Sequence, residues 1–184
     1  MNRNVLCLAL AGALCVGTSA NATTLTLDDG WQPFSFSDGG SAWSEDFTFT
    51  LLDTAYFAVT DAFCAGDQFE FTVNGTVEGV TSVPFYDGTC TGPTRTTDPD
   101  EAFASSVWSS GEIELGAGDY TISGIAVLSP FGQGAAFVQL SSTSLGGPVI
   151  APPTSPVPLP AGGLLLVAGL GGMAALRRRK KTDA

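Results

Sequence analysis

Three acids stand in four positions around a proline: Asp98, Asp100 and Glu101, with Pro99 between the first two. Hard oxygen ligands at that density suit a cation such as Ca²⁺. The same residues suit a solvated acidic loop in which Asp98 or Asp100 caps a short helical turn through Glu101 to Ser105. The chain has no histidine, so the usual Ser-His and Cys-His nucleophiles and imidazole metal sites are excluded. It contains neither a G-x-S-x-G elbow nor a phosphate-binding glycine loop. Acids are plentiful enough for a glycosidase-type pair, but their spacing singles out no two of them. The expected function is therefore not enzymatic. Trp31, Trp43, Trp108, Tyr56 and Tyr86 offer rings for stacking on sugars; packing in a β core is the competing use of the same side chains.

The elements that must position these residues have a period of two. Phe47, Phe49 and Leu51 alternate with polar residues, as do Phe69, Phe71 and Val73. Ile113 and Leu115 alternate with Glu112 and Glu114, and Tyr120 and Ile122 continue the pattern. Such alternation turns one strand face to a core and the other to water. Asn74-Gly75 between two such runs is a strong hairpin signal; it also opens an Asn-Gly-Thr acceptor sequence, for which the turn is a sufficient reason. Gly116-Ala117-Gly118-Asp119, Asp87-Gly88 and Gly132-Gln133-Gly134 mark further turns. Trp31 to Phe36, Tyr56 to Thr60 and Ala135 to Leu140 bring the expected count to eight or nine short strands. That pattern predicts a mainly β, antiparallel two-sheet sandwich of jelly-roll type across residues 23–143.

Both ends read differently. Residues 1–22 form an expected secretory signal peptide: Arg3 in the n-region, an apolar stretch from Val5 to Val16, and Ala20-Asn21-Ala22 as an A-x-A cleavage site before Thr23. Cys7 and Cys15 follow Leu6 and Leu14, which is not a lipobox pattern. Once this leader is set aside, Cys64 and Cys90 remain, an even pair that reads as one disulfide in an oxidising compartment. Residues 144–156, with four prolines, read as an extended linker. Beyond them come Val157, Pro158, Leu159, Pro160 and Ala161, an apolar run over 162–176, and the basic cluster Arg177, Arg178, Arg179, Lys180 and Lys181. A spanning helix needs about 20 apolar residues, within a range of ~17–25, which the stretch from Leu159 to Leu176 only just reaches. Its basic end is expected to stay cytoplasmic.

Between the two ends, seventeen acids face Arg95 alone, a net charge of −16. That field repels nucleic acid and anionic lipid and attracts divalent cations. Neither nucleic acid nor an anionic membrane surface is an expected partner of the domain.

The stretch VPLPAGGLLLVAGLGGMAALRRRKK, over 157–181, resembles the PEP-CTERM class of sorting signals in its VPLPA variant. The resemblance covers about a seventh of the chain and lies in the order of its parts: proline motif, apolar helix, basic end. It implies export through the Sec translocon, an inner-membrane-anchored precursor, and recognition and cleavage by an exosortase in a Gram-negative bacterium. Val157 to Ala161 would then be the recognition motif and Arg177 to Lys181 the cytoplasmic stop. The plain alternative is a permanent single-span anchor. A second, shorter resemblance links the segment LGAGDYTI, over 115–122, to the last hairpin of pre-peptidase C-terminal and CUB-like sandwiches. Together these readings predict a structural or adhesive protein of the cell surface or extracellular matrix. A carbohydrate-binding module contacting exopolysaccharide is the second expectation and a hydrolase the third.

Overall fold

The computed structural model describes residues 21–150. Most of the expected signal peptide, the second half of the linker, the 157–161 motif, the apolar run and the basic cluster lie outside those residues. Nine strands follow one another: β1 (Ala22–Thr24), β2 (Gln32–Phe36), β3 (Asp46–Leu51), β4 (Ala55–Asp61), β5 (Gln68–Val73), β6 (Thr76–Val80), β7 (Ser110–Leu115), β8 (Gly118–Leu128) and β9 (Gly134–Ser141). The described helices are a 3₁₀ turn (Gly92–Thr94) and one six-residue helix, α1 (Pro99–Ala104). No helix among the described residues is long and apolar enough to cross a membrane. The fold is thus mainly β, as the alternation predicts.

The strands form two sheets, ordered β1-β3-β8-β5-β6 and β2-β9-β4-β7. All pairings are antiparallel except β1 with β3. The pairs nest. β5 pairs with β6, β4 with β7, β3 with β8 and β2 with β9. The chain therefore runs as one long hairpin whose tip is Asn74-Gly75. The pairings of β4 with β9 and of β5 with β8 join that ribbon into two sheets. Asn74 (φ 50°) and Gly75 (φ 80°) both adopt positive φ, the geometry of a type I′ turn. Asn74 also accepts a hydrogen bond from the Thr121 amide (2.8 Å) and donates to the Asp119 carbonyl (3.2 Å), tying the tip to β8.

The alternating apolar residues meet where expected. Phe47, Phe49, Leu51, Phe69, Phe71, Val73 and Ile122 of one sheet share a core with Phe34, Phe36, Phe57, Val59, Val138 and Leu140 of the other. Rings cross the gap: Phe49 to Phe57 at 6.1 Å, Phe57 to Phe71 at 5.7 Å and Phe36 to Phe69 at 5.3 Å. Fully burying such a side chain contributes about 1.5–3 kcal/mol, so this double row of phenylalanines is the main source of stability. The long β6–β7 connection covers the outer face of β4, where Ala65, Ala102 and Trp108 form a second small core. Cys90 on that connection is bridged to Cys64 with a Cα–Cα distance of 5.0 Å, as the cysteine count predicts.

Three boundaries differ from the sequence reading. First, β1 begins at Ala22, which pairs with Asp46, so the expected cleavage site falls within a strand. Second, the packed domain continues past 143 to Ile150. The Ser144 hydroxyl and the Leu145 amide donate to the Glu112 carboxylate, at 2.5 and 2.9 Å. Residues 148–150 run along the exposed edge of β7, with Pro148 and Ile150 exchanging backbone bonds with Glu112. Glu112, expected in water, is buried beneath this strap. Ile150 enters the core at Gly111, where a Cβ would stand 2.4 Å from its side chain. The strap covers an otherwise unpaired sheet edge, a liability that folded proteins commonly mask. Third, the 115–122 segment is not a hairpin. Leu115 ends β7 in one sheet and Gly118 begins β8 in the other, and Gly118 at φ 158° allows the crossing.

Candidate functional site

The three acids of the 98–101 cluster serve local structure. Asp98 is the N-cap of α1, its carboxylate accepting from the amides of Asp100 (3.0 Å) and Glu101 (3.4 Å). Asp100 accepts from the Trp31 indole at 2.8 Å, and Glu101 from the Thr96 hydroxyl at 2.7 Å. The three carboxylates thus turn to three different partners. Among the described residues, no group of three or more His, Cys, Asp or Glu side chains is arranged to hold a metal ion.

The aromatic residues divide. Trp43 and Trp108 are buried. Trp31 is half-buried and packs on Phe103 at 5.4 Å; Tyr56 is half-buried with its hydroxyl donating to Glu114. Of the five, Tyr86 alone is strongly exposed, at 47%. It meets Phe131 edge-on at 5.4 Å, and close by Phe63 stacks on Phe137 at 5.8 Å. Phe63 and Phe131 line a cleft of ≈ 210 Å³ together with Gln133 and Asp67. This aromatic rim, built mostly from phenylalanines, lies at the end of the domain marked by the disulfide.

Beneath the rim lie two buried carboxyl groups, Asp61 and Asp67. Asp61 takes the next inward position of β4 after Ala55, Phe57 and Val59, and Asp67 the inward position just before Phe69, Phe71 and Val73 of β5. Each therefore continues an apolar register with an acid. The turn between them folds back on Asp61: the amides of Gly66 and Asp67 both donate to its Oδ2 at 3.1 Å. Phe63 in that turn holds φ at 69°, a conformation unusual for a bulky residue. Oδ1 of Asp61 and Oδ1 of Asp67 have no hydrogen-bond partner.

Burial pushes the Asp61 carboxyl well up from its ordinary value, and the neighbouring Asp67 charge adds to this against the amides that hold it. Burial also raises Asp67, to about 6, with the nearby Ser129 side chain acting against it; the Ser129 hydroxyl itself donates to the Gly132 carbonyl. Desolvation disfavours the charged form of any acid, and perturbed acids in a cleft are candidates for function. The sequence carried a signal for this pair, an acid on the inward register at the end of each of two strands. Density of acids along the chain singles out 98–101 instead.

Comparison with protein-family models, with curated proteins and with solved structures finds no match.

Proposed function

We propose that the chain is an exported precursor whose acidic domain, a jelly-roll sandwich, serves a structural or adhesive role at the cell surface or in the extracellular matrix. The observation that carries this reading is the Cys64–Cys90 bridge, because structural disulfides belong to oxidising compartments. The 157–161 motif with its apolar run and basic end supports the same route: Sec translocon, inner membrane, then exosortase. The nested pairing of β2–β9, β3–β8, β4–β7 and β5–β6 supports the jelly-roll assignment within the two-sheet architecture. Intact-mass measurement of the protein recovered from its own cells tests the proposal. The expected species begins at Thr23, lacks the residues beyond the 157–161 motif and is lighter by the two hydrogens of the disulfide. A full-length species with free thiols would overturn it.

The exposed rim of Phe63, Tyr86 and Phe131 favours a second reading, carbohydrate binding. Rings on a rigid β scaffold can stack on sugar faces, and they stand together at one end of the domain. Retention on a panel of insoluble polysaccharides is the measurement. Binding that Tyr86→Ala and Phe131→Ala both abolish supports it; no retention on any member of the panel disposes of it.

A further inference from the structure

The two inward carboxyls at the end of the core each keep an oxygen without a hydrogen-bond partner, although both groups are buried. The amides of Gly66 and Asp67 are spent on Asp61 Oδ2. Among the described residues no basic side chain neutralises the pair. Arg95 is the one basic residue between 21 and 150, and it is exposed. Buried anionic oxygens are costly unless something cationic or protonic meets them.

We propose that Asp61 and Asp67 bind one calcium ion between them. Calcium takes six to eight oxygen ligands in irregular geometry, so two carboxylates need neutral oxygens beside them. The Ser129 hydroxyl, which gives its proton to the Gly132 carbonyl, keeps oxygen lone pairs beside Asp67, and Gln133 lines the same cleft as Asp67. Water reaching the cleft can complete the shell. Magnesium suits the site less well, since it demands near-octahedral geometry and dehydrates reluctantly. Asp67 lines the cleft of ≈ 210 Å³, so the ion would enter from the Asp67 side of the pair. The net charge of −16 between residues 21 and 150 raises the local concentration of divalent cations around that route.

The placement gives the ion a mechanical meaning. Asp61 ends β4 in one sheet, and Asp67 immediately precedes β5 in the other. A shared ion would therefore pin the two sheets together at the end where the Cys64–Cys90 bridge already fastens the covering loop. Calcium would stiffen the module in calcium-containing surroundings. This inference stands on the carboxyl pair and does not depend on the sorting signal or on the sugar-binding reading.

Equilibrium dialysis against radiolabelled CaCl₂ in about 0.15 M salt, which screens diffuse binding to the acidic surface, tests it on the disulfide-intact protein recovered from its cells. One ion per chain is expected, lost in Asp67→Asn and bound several-fold more weakly in Ser129→Ala. Asp100→Asn and Glu101→Gln should leave it unchanged. Calcium at a hundredfold excess over its dissociation constant should raise Tm by roughly 5–10 °C over chelator, and equal MgCl₂ should raise it less. Failure of the wild-type protein to retain calcium overturns the proposal without recourse to any variant. So does retention undiminished in folded Asp67→Asn, or calcium lost in Asp100→Asn or Glu101→Gln. The Ser129→Ala measurement decides the matter if Asp67→Asn does not fold.

Discussion

Asp67 titrates in a range where most carboxyls are already charged, at about 6. Asp61, facing it, is raised as well, by burial first and by the Asp67 charge second. Apart from each other, the groups acting on the pair are neutral: the Ser129 hydroxyl and the amides of Ala62, Gly66 and Asp67. Both folded values lie above the ordinary 3.8, so between about pH 4 and pH 6 the folded chain holds more protons than the unfolded one. Stability then falls as pH rises through that window. Asp28 and Asp87 run the other way, lowered by hydrogen bonds with Ser142 and Thr89, but both are exposed and weigh little. In chelator, Tm should be higher at pH 5 than at pH 7.5, and Asp67→Asn should flatten the difference. A Tm that climbs steadily from pH 5 to pH 7.5 would contradict the assigned burial. At this scale the inward register of Asp61 and Asp67 was readable, because Val59 and Phe69 fix it two residues away. Their burial was not, because the residues packed at that turn, Tyr86 and Pro130 against Gly66 and Phe131 and Gln133 beside Asp67, are distant along the chain.

The elements divide by the same criterion of distance. The hairpin at Asn74-Gly75 was legible because β5 and β6 are the only sequence-adjacent strands among the described residues that pair with each other, and its turn demands positive φ. Helix α1 was legible because its cap, Asp98, lies beside it. The other nested pairings join strands far apart in sequence, which no local pattern reports. The Gly116–Gly118 connection shows the consequence: a turn signal marks where a strand stops, not which sheet the next one joins. The strap over β7 was hidden for the same reason, since prolines over 148–156 suggest a linker until Glu112 and Ile150 are seen to hold its first half. Two expectations follow. Asn74→Ala removes a residue tolerant of left-handed geometry and two hydrogen bonds to β8, and should cost about 1–2 kcal/mol in urea unfolding. Reducing Cys64–Cys90, whose partners are 26 residues apart, should cost about 3.5 kcal/mol by loop entropy. A melting curve unchanged by reductant would mean that the covering loop is held by α1 and Trp108 alone.

For the whole molecule, charge and termini matter more than any single contact. The described domain is strongly acidic, whereas five of the seven basic residues of the chain stand together at 177–181. That separation gives the sorting reading its physical content. A basic cluster after an apolar run is retained on the cytoplasmic side; on the sorting reading the acidic domain is the part carried across. The apolar run is marginal in length for a permanent anchor. On the sorting reading, prolines at 158 and 160 disfavour a helix there, and an extended motif would suit recognition along the backbone. The proline motif and the basic cluster should therefore fail differently. Replacing Pro158-Leu159-Pro160 with alanines should trap an uncleaved, membrane-bound form, detected by fractionation and mass. Replacing Arg177 to Lys181 with neutral residues should weaken retention or orientation before processing and leave the motif itself intact. Cells lacking the exosortase should accumulate the same species as the proline variant. If the wild-type protein keeps its tail through Ala184 in cells with and without the exosortase, the sorting reading fails and the tail is a plain anchor.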